Sequence, residues 1–266
     1  MKRYSFAASA RRPSHDGDRK LATNTAVSKV ATKGRARQAP VEAEAKAAPA
    51  ARGGRKKSRA GADTRVKLLD AAERLFAEDG YDGTSLRDIA NRAKLHLALS
   101  TYHFGTKEKL FEEVIQRRAT EMEQIRLAEL AKIDLDKLSS DEALMALIEA
   151  YALPMIRARY GPSRQWQAYV RLVSQLISVK RWVPLIRKYY DNCGRQFIAK
   201  FEKVLPHADH DSLLDSFSFM ISNMLYVCSY TNRFDKQKAK HLSAKEDVDA
   251  AVKNFLRFTH AGFKAL

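Results

Sequence analysis

Between Thr84 and Lys107 the chain gathers hydroxyls, two imidazoles, a phenol and four cations, of which Arg92 and Lys94 read as a solvated rim; the candidates are Thr84, Ser85, Arg87, His96, Thr101, Tyr102, His103 and Lys107, with Leu97 and Leu99 among them. Thr and His side chains hydrogen-bond base edges or phosphate oxygens, and Leu, Ala and Thr touch thymine methyl groups. No Arg or Asn falls between Leu97 and His103 to read guanine or adenine with two bonds. Direct readout should therefore be modest, with Arg87, backbone placement and DNA shape carrying part of any specificity. Thr84 and Ser85 precede a helix, where hydroxyls and free N–H groups suit a phosphate. Lys107 opens another helix, where its charge opposes the dipole unless a phosphate sits beside it. Tyr102 reads as a phosphate contact, His103 as either a phosphate contact or a structural residue, and Phe104 as core.

Three short helices must hold these groups. Leu68, Leu69, Ala72, Leu75 and Phe76 form an apolar stripe at helical spacing, and Gly80 stands where a helix ends. Thr84 or Ser85 caps a second helix with Leu86, Ile89, Ala90 and Ala93 inside. Residues 94–96 form a turn, and a third helix runs from Leu97 to about His103. Gly105-Thr106 breaks it, and Thr106 caps a fourth helix to about Ala131. Leu68, Leu69, Ala72, Phe76, Leu86, Ile89, Ala90 and Leu95 are the expected core. A short helix held across another by a tight turn fits the DNA major groove.

The 266-residue chain carries a net charge of +17, and residues 1–62 supply twelve of those charges. That segment is rich in Ala, Arg, Lys and Ser without apolar periodicity, and reads as a disordered basic tail. Order is expected from Asp63 or Thr64, either of which could cap the first helix. Two cysteines, Cys193 and Cys228, without CxxC spacing argue against a disulfide framework or zinc site and fit a reducing compartment. No apolar run reaches membrane-spanning length, so no membrane partner is expected. The expected location is cytoplasmic and nucleoid-associated.

Beyond the fourth helix the pattern is helical throughout, over 141–159, 163–180, 183–204, 210–232 and 246–265, with Pro154 inside the first of these. The fold class is all-α. A three-helix, homeodomain-like helix-turn-helix DNA-binding domain spans 63–109, and a helical ligand-binding and dimerisation domain spans 110–266. Trp166, Tyr169, Tyr189, Asn223 and Tyr226 combine apolar bulk with polar tips and are the candidate ligand-binding residues. Arg157, Arg159 and Arg171 could attract an acidic ligand, or be surface charges. His207, Asp209, His210 and Asp211 read as a helix-linking loop with an Asp cap, so no metal and no cofactor is expected.

Residues 64–110 resemble the DNA-binding domain of the TetR family of transcriptional regulators. The resemblance rests on Arg65, the LLDAAERLF run, Gly80, Tyr81, Thr84-Ser85, Ile89-Ala90, Ala93, the YHF triplet and Lys107. It implies a homodimer that sets one third helix per subunit into a double-stranded DNA operator. It also implies a small-molecule effector in the C-terminal domain and an interface made by the last two helices. Carried over by position, the ten residues named at the outset are the candidate DNA contacts. Leu213, Phe217 and Met220, with Val252, Phe255 and Phe263, are the candidate interface residues. The family pattern places glycine at Lys94, Ser or Thr at His96, and Tyr or Asn at Thr101. The expected function is that of a regulator, a repressor released by a small apolar or acyl-type effector. A nonspecific DNA binder driven by the basic tail is the alternative. An enzyme is the remote one, since no GxSxG, P-loop, HExxH or dinucleotide fingerprint is present.

Overall fold

The computed structural model describes residues 52–177, 179–229 and 244–266. They form helices α1 (Arg52–Asp79), α2 (Leu86–Arg92), α3 (Leu97–Phe104), α4 (Lys107–Leu130), α5 (Ser140–Tyr160), α6 (Arg164–Leu176), α7 (Val183–Val204), α8 (His210–Ser229) and α9 (Ala244–Lys264). Among the described residues there is no strand. The all-α expectation holds, and the C-terminal helices begin within two residues of their expected starts.

Local chemistry sets many of the ends. Thr106 and Ser163 accept backbone N–H groups at the starts of α4 and α6. Ser139 and Glu142 form a reciprocal capping box on α5. Asp209 accepts the Ser212 N–H at 2.9 Å, which gives the His207–Asp211 loop the expected cap. Gly80 (φ 74°) and Gly105 (φ 73°) close α1 and α3 in the left-handed region that glycine enters freely.

Two boundaries differ from expectation. Helix α1 begins at Arg52 and passes through Asp63 and Thr64 without a cap there. Residues 52–62 hold seven Ala, Arg and Lys residues, which extend a helix cheaply once it is nucleated downstream, against three glycines that disfavour it. The remainder of the expected tail lies outside the described residues. Helix α6 ends at Leu176, short of the expected 180, where β-branched Ile177 and Val179 lower helix propensity.

The N-terminal core is not sealed by three helices. Leu68, Leu69, Ala72, Phe76, Ile89 and Ala90 are buried as expected, while Leu86 and Leu95 are half-buried. The same cluster continues into Leu110, Phe111, Val114 and Ile115 of α4 and Leu172 and Leu176 of α6. Trp182 closes it, its ring 4.5 Å from Phe111 and 4.8 Å from Tyr81. A second core joins α4, α5, α6, α7, α8 and α9.

A buried ionic network ties α1 to α4. Glu73 has no exposed surface and pairs with both Arg117 and Arg118, the latter at 3.1 Å. Arg117 also reaches Asp70 at 2.8 Å, and Arg118 reaches Glu121 at 2.9 Å. Burial alone would lower the Arg118 guanidinium, but the Glu73 and Glu121 carboxylates outweigh it and hold it above its ordinary value. Removing one partner leaves an uncompensated buried charge, which costs about 3–5 kcal/mol. Glu73→Ala is therefore expected to lower the unfolding free energy by about that amount in urea denaturation. A loss under about 1 kcal/mol would show that the network does not hold α1 in place.

Candidate functional site

The turn between α2 and α3 sets the angle of the exposed helix. Ser85 caps α2, its hydroxyl accepting the Asp88 N–H at 3.2 Å, while the Asp88 carboxylate accepts the Ser85 N–H at 3.0 Å. Hydrogen bonds from the Ser85 hydroxyl, then its backbone, hold the Asp88 carboxyl below its ordinary value. Lys94 follows in the left-handed region at φ 56°, where the family pattern has glycine. His96 occupies the cap position of α3 without a side-chain hydrogen bond, so that helix start carries no side-chain cap.

Helix α3 then divides into two faces. Ser100 and Phe104 are buried, whereas Leu97, Ala98, Thr101 and Tyr102 are exposed. Tyr102 is 82% exposed, its one ring neighbour being His103 at 5.2 Å. His96, Leu97, Thr101 and Tyr102 thus come together on open surface, with Arg87 exposed on α2. Leu99 and His103 are half-buried. Around them Arg87, Lys94 and Lys109 are exposed and make no ion pair with the described residues. Lys109 escaped the sequence reading, which favoured the lysine two residues earlier.

Three expected phosphate contacts have other work. Thr84 is buried and donates its hydroxyl to the Gly80 carbonyl at 2.8 Å. The Ser85 hydroxyl serves the capping box, whose carboxylate already occupies the start of α2. Lys107 donates to the Tyr81 and Thr84 carbonyls, both at 2.9 Å, and lies 4.2 Å from the Tyr81 ring centroid. Two of its three N–H donors are engaged by backbone carbonyls. It staples the α1–α2 connection to α4, a role that the spacing of a single lysine does not reveal.

The C-terminal helices enclose a cavity of about 620 Å³. Its apolar wall includes Met155, Val173, Phe217, Ile221, Met224 and Leu225, and its polar groups include Arg126, Tyr190 and Asp191. Ile115, Leu176 and Leu185 also line it, and all three pack into the N-terminal core as well.

None of the five expected ligand residues lies on this wall. Tyr169 is fully buried behind it, its hydroxyl 2.7 Å from that of Tyr190, which does line it. Burial raises both phenols well above their ordinary range. Tyr189 donates to Glu112 at 2.9 Å. Trp166 packs edge-on to Tyr169 under Arg118. Asn223 is half-buried and Tyr226 exposed on α8. Residue type alone could not tell which way each ring turns on its helix. Arg157 is absent from the wall too, and Arg159 donates to the Cys228 carbonyl at 2.8 Å. Arg159 and Arg171 line a separate shallow depression beside α1.

Two family profiles match the chain. Residues 68–114 match "Bacterial regulatory proteins, tetR family", and residues 149–262 match "Tetracyclin repressor-like, C-terminal domain". The chain belongs to the TetR family. The HTH-type transcriptional repressor Rv3405c of Mycobacterium tuberculosis is 34% identical over 97 residues, which cover 35% of this chain and 51% of that relative. The chain thus spans about half the length of this curated relative. A TetR-like transcriptional regulator from Rhodococcus sp. RHA1 shares the fold at TM-score 0.53 and 17% identity, covering 76% of this chain and 97% of that one. A transcriptional regulator from Saccharomonospora viridis, solved in complex with choline, shares it at TM-score 0.51 and 19% identity, covering 74% and 95%.

In this TetR-family chain α8 and α9 pack on each other, and each leaves an apolar strip open. Phe219 (64% exposed) and Tyr226 lie seven residues apart on α8. On α9, Phe258 (69% exposed) is followed by exposed Ala261, Gly262 and Ala265. The expected interface residues lie elsewhere. Leu213, Phe217, Met220, Phe255 and Phe263 are buried inside the subunit, and Val252 is half-buried against the same core. Helices α8 and α9 each carry apolar residues on two faces, with the larger one turned inward. Cys193 and Cys228 are buried and free, and burial pushes their thiols up to about 11 and about 12.

The left-handed residue gives a direct test of the turn. A non-glycine residue there costs roughly 1–2 kcal/mol. Lys94→Gly is expected to stabilise the protein by about 1 kcal/mol, raising Tm by about 2–4 °C, whereas Lys94→Ala should give no such gain. Calorimetric melting of the two variants checks this.

Proposed function

We propose that the protein is a ligand-responsive, sequence-specific DNA-binding regulator that acts as a homodimer and represses transcription. The observation that carries this reading is a shared wall. Ile115, Leu176 and Leu185 line the cavity and pack into the core that orients α3. A molecule in the cavity presses on side chains that also set the recognition helix. It changes DNA affinity only by the difference in its own affinity for the two arrangements of that core.

The open face of α3 fits the reading role. His96, Leu97, Thr101 and Tyr102 offer hydroxyl, imidazole and apolar contacts to a groove, with Arg87, Lys94 and Lys109 beside them for phosphates. Thr84 and Lys107 act from below by fixing the α1–α2 connection. The similarity to a mycobacterial repressor supports repression as the sign of control. A structure of the same fold in complex with choline supports a small-molecule site in such a domain.

The strips on α8 and α9 suit a two-fold interface, each strip meeting its copy. In a dimer the two α3 helices would enter successive major grooves about 34–36 Å apart.

Binding sites are first selected from genomic fragments with the full-length protein, then tested by gel shift at fixed salt. Thr101→Ala with Tyr102→Ala is expected to abolish specific retention, a loss of about 100-fold or more, while sedimentation still shows a dimer. Unchanged retention would remove α3 from the interface. Conversely, Phe219→Asp with Phe258→Asp is expected to give a monomer in sedimentation, with unchanged helical content by circular dichroism. A persisting dimer would move the interface off these strips.

A further inference from the structure

We propose that the cavity takes an amphipathic carboxylate, an acyl or aryl acid whose head group is held by Arg126. This rests on the reading of the cavity as the effector site and names the chemistry of its occupant. Arg126 is 3% exposed and lies on the cavity wall. Its guanidinium stacks 3.9 Å above the centroid of Tyr151. Nε donates to the Tyr151 carbonyl at 2.8 Å, and one terminal nitrogen lies 3.7 Å from the Met224 sulfur. Among the described residues no carboxylate pairs with it. A guanidinium carries five N–H donors, and one carbonyl with one thioether leaves most of them without a strong acceptor.

The contrast with its neighbour on α4 gives this weight. Arg118, two turns earlier, is also buried, but Glu73 and Glu121 answer its charge. A buried cation is retained where something pairs with it, because an unpaired one is expensive. At Arg126 the partner is missing from the chain itself, and the adjoining space is a cavity large enough for a small ligand. The wall holds Arg126, Arg187 and Arg195 against one carboxylate, Asp191, which makes no ion pair with Arg126. The Tyr151 hydroxyl, also without a hydrogen-bond partner among the described residues, adds a donor on the same wall. The rest is largely aliphatic side chain and methionine, which suits a hydrocarbon body and not a second charge. A carboxylate matches the planar fork of arginine with two parallel bonds. A cationic head would meet Arg126 at close range and be repelled.

The test uses three probes with one tail: decanoate, decan-1-ol and decyltrimethylammonium. Binding to the full-length protein is followed by calorimetry and tryptophan fluorescence in about 0.5 M salt, where exposed charges are screened and a buried pair is not. Decanoate is expected to bind at least about tenfold more tightly than decanol. Arg126→Met should remove that preference while leaving decanol binding intact, and Arg126→Lys should retain part of it. Circular dichroism confirms that both variants are folded, and Tyr151→Phe supplies a milder loss of decanoate affinity should Arg126→Met fail to fold. Ile221→Trp, which fills the cavity from its wall, should weaken every probe. Equal binding of decanoate and decanol, or decanoate binding that Arg126→Met leaves unchanged, would overturn the carboxylate assignment and leave the cavity as a ligand site. Tighter binding of decyltrimethylammonium would reverse the sign of the head group. If no probe binds the wild-type protein, the assignment and the effector-site reading fall together.

Discussion

The orientation of α2 and α3 depends on a carboxylate sealed between two arginines. Glu73 belongs to α1, and Arg117 and Arg118 belong to α4, so the network spans the junction between the two halves of the molecule. Apolar packing alone would let the helices slide, because dispersion contacts are individually small and have little direction. A buried carboxylate shared by two guanidiniums has few acceptable geometries. It fixes α1 along α4, and α1 in turn carries the core residues on which α2 and α3 rest.

That constraint makes the N-terminal helices poor candidates for an independent domain. Their core is completed by the first turns of α4, by Leu172 and Leu176, and by Trp182 against Tyr81 and Phe111. Arg181 adds an ion pair to Asp82 at 3.1 Å and stacks on the Tyr81 ring. The segment that joins α6 to α7 is therefore clasped to the segment that joins α1 to α2. Ile115, Leu176 and Leu185 each touch both the cavity and the core on which α3 rests. Packed cores have discrete arrangements, so a molecule that favoured one of them would shift α3 with it.

The sequence showed most of the frame and little of the wall. Helix starts were legible because caps are local: Ser139 and Glu142, Thr106, Ser163 and Asp209 all act within a turn. The face of α3 was legible for a similar reason, since an eight-residue helix with Ser100 and Phe104 inward leaves few choices for the rest. The role of Lys107 was not, because the carbonyls that decide it are distant in sequence and brought near by folding, and Thr84, though its partner Gly80 is only four residues away, is withdrawn from the surface by its burial in the fold. The five expected ligand residues miss the cavity wall because the rotation of a helix is not read from residue type. Tyr169 and Tyr189 differ in partner by the rotation of a helix and by what lies across from it. The expected interface residues lie inside the subunit because α8 and α9 are apolar on two sides, and periodicity does not say which side faces home.

One signal for the cavity was present and went unread. On α4 the buried stripe runs Phe111, Ile115, Arg118, Met122, Arg126 and Leu130, so two arginines occupy positions where spacing calls for apolar residues. A charge placed on an apolar stripe must be answered, by the protein or by something bound. At Arg118 the answer is internal and serves rigidity. At Arg126 the protein supplies one carbonyl, an aromatic face and an open volume. Within a few turns of one helix, the same side chain thus carries two physical assignments. One locks α1 to α4 through internal carboxylates, and the other leaves a buried cation facing the cavity without a carboxylate partner among the described residues.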